Sequence, residues 1–288
     1  MSRDGRISER LFRSDMVGPS FGHMAASIVG LVLIQKLAME FVLPSWIPET
    51  EAFFKVHGRA KALFIGSTIS TSFVWWGVGT LMAIPAMFQL TQWKIQPNKS
   101  LEMGRLRKAL PLITFNLYLG MVFSAAAFLF LLPERAWDWR QLPDTATLTR
   151  DVCIWLALEE VMFFYVHRWL HENKWMYAKV HKLHHTWTAP VSFVAIYCHP
   201  FEHIVSNIVP LLAGPILCGS HAAAVMTYTS VGLIHTLAVH SGYWFCDDNG
   251  MHDEHHAKFN VNYGITGVLD SLYGTLSLPD RLEEEKKS

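Results

Sequence analysis

Long apolar runs separated by short charged segments dominate the sequence. Two of them, 62–93 and 109–133, contain no charged residue. Because about 20 apolar residues cross the hydrocarbon core of a bilayer, each run is long enough to span a membrane. The run 24–43 predicts another membrane helix. Its Lys36 and Glu40 are spaced i, i+4, which also permits a helix lying in the membrane interface.

Two further regions extend this pattern into the second half of the chain. The run 152–166 is shorter and contains Glu159 and Glu160, but it is apolar enough overall to predict a fourth membrane helix. Beyond it, the stretch 203–246 has no formal charge and is interrupted by prolines and glycines. It predicts a helical hairpin, with arms at 204–217 and 222–239, that enters the membrane and returns. Both ends of such a hairpin emerge on the same side.

Composition supports a membrane protein of the all-α class. Of 288 residues, 51% are hydrophobic and 17% are charged, and the formal net charge is zero. A neutral chain gives no reason to expect a nucleic-acid partner. The four cysteines form no C-x-x-C pair, which argues against a disulfide framework or a thiolate zinc site; they are Cys153, Cys198, Cys218 and Cys246.

Loop charges predict the orientation. The N-terminal segment carries four arginines and the loop 94–108 carries five lysines and arginines, against three in each of the other two loops. The positive-inside rule therefore places the N-terminus and the loop 94–108 in the cytosol. We expect four regions: a cytosolic N-terminal segment (1–23), transmembrane helices (24–150), a catalytic region (151–275) and a polar C-terminal tail (276–288).

Histidines supply the candidate chemistry. The segment 165–185, YVHRWLHENKWMYAKVHKLHH, holds five of them, and MHDEHH adds three more near position 255. Within each cluster the spacing is i, i+3 or i, i+4, which brings side chains onto one face of a helix. The clusters are His167 and His171; His181, His184 and His185; and His252, His255 and His256. Repetition at helical spacing indicates a metal site.

The number of histidines indicates two metal ions. A mononuclear site needs three or four protein ligands, whereas the clusters supply eight histidines and His240 is a ninth. Imidazole suits zinc, copper, iron and nickel, so the residue type alone leaves the metal open. The nearby acids are too few to replace imidazoles as ligands; they are Glu160, Glu172, Asp253 and Glu254.

The three clusters resemble the histidine boxes of the fatty acid hydroxylase/sterol desaturase superfamily. The words HRWLHENKWMYAKVHKLHHTWTAPVSF, YCHPFEH, HSGYWF and HDEHHAKFNVNYGITGVLDSLYGT carry the resemblance, from about residue 151 to 275. They are most similar to the C4-methylsterol oxidases and their fatty acid hydroxylase domain-containing relatives. The short spacing from His240 to His252 departs from many sterol oxidases and bears on the substrate.

The resemblance implies a set of site residues. The eight box histidines and His240 would be metal ligands, with His235 and His199 as further candidates. Glu160, Asp253 and Asp270 are candidates to hold or orient those ligands through hydrogen bonds. The other histidines are expected to have structural roles, as are the methionines and phenylalanines of the apolar runs, apart from those lining a lipid tunnel.

The resemblance also implies a function. We expect an all-α integral membrane enzyme with about four transmembrane helices, a membrane-dipping hairpin and a cytosolic, histidine-rich helical cap. Its two iron ions and O2 would hydroxylate a lipid, foremost a sterol such as a 4-methylsterol, with electrons from NAD(P)H through cytochrome b5 and its reductase at the endoplasmic reticulum. Zinc can replace iron in purified protein, since it outcompetes ferrous iron at nitrogen sites.

Three alternatives remain open from the sequence. Within the enzymes, these are a fatty-acyl or sphingoid-base hydroxylase and a sterol desaturase. The third is a non-catalytic membrane protein that binds lipid. Intact histidine clusters argue against the last, because a protein without chemistry has no use for eight ligands.

Overall fold

The structure is a computed structural model that describes residues 14–247 and 249–279, with side chains from residue 20 onward. The described chain forms helices and no β-strand, apart from an isolated bridge between Lys94 and Tyr243. In chain order the helices are α1 Ser14–Leu37, α2 Ile47–His57, α3 Arg59–Ser72, α4 Gly79–Met87, α5 Met103–Leu131, α6 Thr145–Glu172, α7 Lys174–Lys179, α8 Pro200–Glu202, α9 Val209–Cys218, α10 Ala222–Val239, α11 Met251–Lys258 and α12 Val268–Tyr273.

Short π-helical and 3-10 segments join several helices into longer rods. As a result, five helical stretches among the described residues are long and apolar enough to cross a membrane: Ser20–His57, Arg59–Met87, Met103–Leu131, Pro200–Cys218 and Ala222–Val239. The shortest has 18 residues, about 27 Å at 1.5 Å per residue, close to the hydrocarbon thickness. The predicted all-α membrane architecture is confirmed. The predicted N-terminal segment and C-terminal tail lie mostly outside the described residues.

The predicted run 152–166 belongs to α6 and is not one of these five stretches. Helix α6 is 28 residues long and buries polar side chains on the face that meets the rest of the protein, including Asp151, Glu160 and His167. It is therefore the central helix of the fold, packed between α1 and α9. Gly214 of α9 lets the two backbones approach, because a Cβ there would lie 2.5 Å from the Cα of Trp155.

The hairpin forms as predicted from two helical arms. Its arms are Pro200–Cys218 and Ala222–Val239, and the turn between them contains Gly219 at φ 56°. Ser220 in this turn donates a hydrogen bond to Asp151 at 2.6 Å, which ties the turn to the start of α6. Because the hairpin returns to the side from which it entered, the segment before it and the segment after it meet.

Candidate metal centre

Nine histidines from four parts of the chain converge into two groups. In each group the candidate ligand nitrogens all lie within 4.8 Å of one another. Group one consists of His167, His171, His181, His185 and His255, and group two of His184, His240, His252 and His256. These are the eight box histidines and His240, so the structure brings together all nine of the principal predicted residues.

Group one is built from the C-terminal end of α6, the 3-10 turn His181–Thr186 and α11. The Nε2 atom of His181 lies 2.8 Å from that of His171 and 2.9 Å from that of His185. The Nε2 atom of His255 lies 3.1 Å from that of His185. His167 lies against the same rings, with its ring centroid 4.5 Å from that of His255.

Group two lies where the end of the hairpin meets α11. The Nε2 atom of His252 lies 2.8 Å from that of His240 and 3.1 Å from that of His256. The ring of His184 lies 4.6 Å from that of His256, centroid to centroid. His240 follows the last residue of α10, so the returning arm of the hairpin delivers this residue to the group.

The two groups adjoin because neighbouring residues contribute to different groups. His184 and His185 are adjacent in sequence, yet the first belongs to group two and the second to group one; His255 and His256 divide in the opposite order. The ring centroids of His185 and His256 are 5.0 Å apart across the boundary. Such a division places two possible metal positions side by side.

Outward hydrogen bonds fix the protonation of several rings. The Nδ1 atom of His167 lies 2.9 Å from the carbonyl of Tyr263, and that of His255 lies 2.6 Å from the carbonyl of Val261. A carbonyl oxygen can only accept, so each Nδ1 carries the proton and each Nε2 presents a lone pair. His240 does the same through the carbonyl of Thr236, at 2.8 Å. These three rings therefore present bare Nε2 lone pairs to the centre.

Converging lone pairs repel one another unless a cation lies between them. A metal bound to nitrogen at about 2.1 Å places two ligands at right angles about 3.0 Å apart. The Nε2 separations of 2.8–3.1 Å within the two groups match this value. Both groups are therefore able to hold a metal ion, and five and four imidazoles are suitable ligand numbers for two ions.

Burial keeps the imidazoles neutral, the form in which they bind metal. It lowers the pKa of His167 to about 4 and the pKa of His240 to about 4, from an ordinary value of 6.5. It lowers the pKa of His171 to about 2, aided by the neighbouring imidazoles. The other six shift in the same direction for the same reason. Neutral nitrogen donors suit a transition metal.

Two of the predicted supporting carboxylates act through the backbone. Glu160 accepts hydrogen bonds from the N–H groups of Ile265, Thr266 and Leu269 at 2.8–3.1 Å. Asp270 accepts from the N–H of Tyr263 at 2.8 Å. Together they shape the loop whose Tyr263 carbonyl accepts a hydrogen bond from the Nδ1–H of His167, so they hold that candidate ligand indirectly.

Among the described residues, Asp253 forms no hydrogen bond with an imidazole. Its Oδ1 atom accepts a hydrogen bond from Gln96 at 2.6 Å, which links α11 to the loop 94–108. Burial raises the pKa of Asp253 to about 6. Asp253 is itself a residue of α11, so the hydrogen bond from Gln96 anchors that helix to the loop.

The two further candidates lie outside both groups. His199 caps a helix, with its Nδ1 atom accepting the N–H of Phe201 at 3.2 Å. His235 lies on α10 about one turn before His240 and lines the cavity described below. The structure brings neither residue into the two nitrogen groups.

Sequence reasoning missed Glu202. Its Oε1 atom lies 2.7 Å from the Nδ1 of His181, and both side chains are buried. A carboxylate that accepts a hydrogen bond from the N–H of a ligating imidazole orients the ring and raises its basicity. The sequence contains a signal for this residue, because Glu202 is the only Asp, Glu, Lys or Arg between Lys182 and Asp247. A single carboxyl group in so long an uncharged stretch needs a polar partner.

A cavity of ≈ 400 Å³ leads to the histidines. Side chains of α1, α6 and the two hairpin arms form its apolar walls, and His167, His184 and His240 are among the residues at its polar end. A volume of this size suits a single small-molecule or lipid ligand. The site therefore combines metal-binding capacity with an apolar chamber.

Comparison with known proteins agrees with this arrangement. Residues 152–275 match the family model described as fatty acid hydroxylase. Fatty acid hydroxylase domain-containing protein 2 of Homo sapiens is 36% identical over 225 residues, 74% of this chain and 66% of that protein. Fatty acid hydroxylase ahd1 of Mycosarcoma maydis is 31% identical over 65% of this chain and 49% of its own length.

A third relative extends the range of activities. Methylsterol monooxygenase erg25A of Aspergillus fumigatus is 29% identical over 50% of this chain and 52% of that protein. The chain thus spans between about half and just under two thirds of these three relatives. No solved structure matches the chain significantly.

The fold and the site define a multi-helical membrane protein with clustered histidines and a lipid-sized cavity. The chain belongs to the fatty acid hydroxylase/sterol desaturase superfamily. The expected resemblance is confirmed, and membership supports a lipid oxygenase type of function.

Proposed function

We propose that this protein is a membrane-bound, dinuclear iron, O2-dependent lipid monooxygenase. The observation that carries the proposal is the convergence of nine imidazoles in two adjoining groups, in each of which the ligand nitrogens lie within 4.8 Å of one another and several Nε2 pairs are 2.8–3.1 Å apart. Group one would hold one iron and group two the other. When bound, two ferrous ions supply the reduction of O2 and the oxidation of an unactivated C–H bond, which side chains cannot perform.

The protein's own residues would provide positioning. Glu202 and the carbonyls of Tyr263, Val261 and Thr236 would orient four of the ligands by accepting hydrogen bonds from their Nδ1–H groups. The apolar walls of the cavity would exclude water and present one carbon of the lipid to the metals. The hydroxylation and desaturation outcomes begin from the same geometry.

The substrate class is proposed from the relatives. A methylsterol monooxygenase among them supports a sterol, such as a 4-methylsterol, and a fatty acid hydroxylase supports a fatty-acyl or sphingoid substrate. We place the protein in the endoplasmic reticulum membrane with the histidines facing the cytosol. Electrons would come from NAD(P)H through cytochrome b5 and its reductase.

Metal analysis of protein purified from cells grown with added iron tests the metal site. We expect two metal ions per chain, and a loss of bound metal and of lipid oxidation when His184 or His255 is replaced by alanine. His57→Ala is the control, since His57 lies against Phe53 on α2 and outside both groups. A protein that binds no metal in the presence of iron would favour a non-catalytic lipid-binding role.

Lipid profiling identifies the substrate. Cells with and without the protein are compared for an accumulated methylsterol or a missing hydroxylated lipid, and the His184→Ala variant serves as the inactive reference. An unchanged lipid profile in the presence of metal-loaded protein would contradict the oxygenase assignment.

A further inference from the structure

One stripe of helix α6 lines the cavity from its apolar interior to the metal centre. Glu159, Phe163 and His167 are spaced i, i+4 and i+8, and all three contribute to the cavity wall. The rings of Phe163 and His167 lie 5.1 Å apart, centroid to centroid. The stripe thus places a carboxyl group, an apolar spacer and a candidate metal ligand in a line along the chamber.

The carboxyl group of Glu159 is paired with a tyrosine from the opposite wall. The hydroxyl of Tyr228, on α10, donates a hydrogen bond to Oε2 of Glu159. Tyr228 is itself fixed by Trp155, with ring centroids 4.9 Å apart. Among the described residues no other group hydrogen-bonds the Glu159 side chain, so Oε1 is available to a ligand.

The charges of the cavity restrict which polar group this pair can bind. The lining contains two carboxyl groups, Glu159 and Glu202, and no lysine or arginine. Glu202 is engaged with His181. A lipid carboxylate or phosphate placed at Glu159 would therefore meet a carboxyl group and no lysine or arginine. A hydroxyl both donates and accepts, so it can bind Glu159 whether that carboxyl is ionised or protonated.

The spacing along α6 sets the distance between Glu159 and the metal centre at His167. Eight residues separate Glu159 from His167, which is ~12 Å at 1.5 Å per residue. A lipid with its hydroxyl at the Glu159–Tyr228 pair would have a carbon roughly this far away beside the metal centre. The hydroxyl and the methyl group of a 4-methylsterol stand on neighbouring carbons and cannot span this distance.

We propose that Glu159 and Tyr228 form a receptor for the hydroxyl of a neutral lipid alcohol, which is held with the reacting carbon on the order of 12 Å from that hydroxyl. The inference rests on the proposed function for the position of the reacting carbon, and it narrows the substrate class to lipid alcohols other than 4-methylsterols. Long-chain alcohols oxidised in mid-chain fit, as do sterols oxidised far from the 3-hydroxyl. Glu159 and Tyr228 act as specificity-determining residues.

Binding of matched probes tests the receptor without turnover. Metal-loaded protein in lipid nanodiscs is titrated with 1-octadecanol, octadecane and octadecanoic acid, and dissociation constants are measured by displacement of a fluorescent alkyl-chain probe. We expect Tyr228→Phe and Glu159→Ala each to weaken octadecanol binding about tenfold, the effect of losing a hydrogen bond to a charged group. Octadecane binding should change less than twofold, and octadecanoic acid should bind more weakly than the alcohol.

Tyr118→Phe is the matched control. Tyr118 shares a 3.0 Å hydrogen bond with Ser72 between two other helices and does not line the cavity. Loss of the Tyr118 hydroxyl should leave the binding of all three probes unchanged. Equal losses of octadecanol and octadecane binding in the Glu159 and Tyr228 variants would show a merely structural pair and overturn the proposal. So would octadecanol binding that neither variant alters.

The test of the hydroxyl receptor can be distinguished from the test of the proposed oxygenase function. A protein without metal that still prefers octadecanol through Glu159 would defeat the oxygenase and leave the hydroxyl receptor standing. A metal-loaded, active protein whose Glu159→Ala variant oxidises a 4-methylsterol at the parent KM would defeat the receptor alone. With octadecanol as substrate, mass spectrometry should find the new hydroxyl in mid-chain, and oxidation next to the original hydroxyl would contradict the proposal.

Discussion

His181 and Glu202 form a buried pair in which the imidazole Nδ1 lies 2.7 Å from the carboxyl Oε1. The remaining nitrogen of His181 faces His171 and His185 in group one. The carboxyl group thus holds the ring in the tautomer that presents its Nε2 lone pair to the metal position. It comes from the first residues of the hairpin, so the membrane arm and the metal centre are directly coupled.

Glu202→Ala should weaken metal binding in group one by about 10–100-fold, the usual cost of losing such a partner. Glu202→Gln should retain more metal affinity than Glu202→Ala, because the amide oxygen still accepts a hydrogen bond from the Nδ1–H of His181. Metal affinity is measured by competition with a chelator of known strength. Glu172→Gln is the control, since Glu172 is an exposed acid paired with Arg168 at 2.8 Å. Equal losses in the Glu172 and Glu202 variants would indicate a general effect of charge.

Spacing in the sequence was enough to single out the histidines that the structure brings together. The boxes repeat i, i+3 and i, i+4, and His240 follows an uncharged stretch that returns to them. The division into two groups could not be predicted, because His184 and His185 separate only in the three-dimensional turn that carries them. The partners Tyr263 and Val261 act through main-chain carbonyls, which every residue possesses, so no side-chain pattern identifies them.

The fold, like the site, could be predicted from the sequence only in part. The length of the apolar runs predicted the hairpin and three membrane helices, since length and apolarity are the physical requirements for spanning. The role of α6 was misjudged because its apolar run also carries a buried carboxyl group. Its buried Glu160 binds three main-chain N–H groups of a loop 105 residues and more further along the chain. Such a long-range partner has no local signal.

Removing one ligand from each group should separate the two metal positions. His171→Ala removes a group-one nitrogen and His252→Ala a group-two nitrogen, so each variant should retain about one metal ion per chain where the parent holds two. Elemental analysis of purified protein gives the ratio. His235→Ala should keep the parent content, because His235 lies outside both groups. A lower content in His235→Ala than in His240→Ala would show that the ninth ligand is wrongly assigned.

Acid should destabilise the metal-free protein. Burial lowers the pKa of His167 and of His240 to about 4 in the folded state, whereas an unfolded histidine titrates near 6.5. The unfolded chain therefore binds more protons between these values, and stability falls as the pH drops from about 6.5 towards 4. The raised pKa values of Asp253 (about 6), Glu159 (about 7) and Asp270 act in the opposite sense, but nine histidines outnumber these three carboxyl groups. The melting temperature, followed by tryptophan fluorescence in detergent, should decline over this range. A constant value down to pH 4.5 would contradict neutral burial of the imidazoles.

Gly264 tests the link between the loop and the metal centre. A Cβ at this position would lie 2.7 Å from Oε1 of Glu160 and 3.0 Å from Oδ2 of Asp270, and neither carboxyl group can move without breaking its bonds to main-chain N–H groups. Gly264→Ala should therefore displace the loop and the Tyr263 carbonyl that fixes His167. We expect a destabilisation of about 1–3 kcal/mol, as for other overpacked sites, together with reduced metal content.

Gly104→Ala is the matched control for this substitution. Gly104 lies in the first turn of α5, and a Cβ there would meet nothing within 4 Å. Alanine has the higher helix propensity, so this variant should be at least as stable as the parent and keep its metal. Melting temperature and metal content are measured on both variants under the same conditions. If Gly264→Ala behaved like Gly104→Ala, the carboxyl groups of Glu160 and Asp270 would not hold the loop rigidly, and their indirect support of His167 would be refuted.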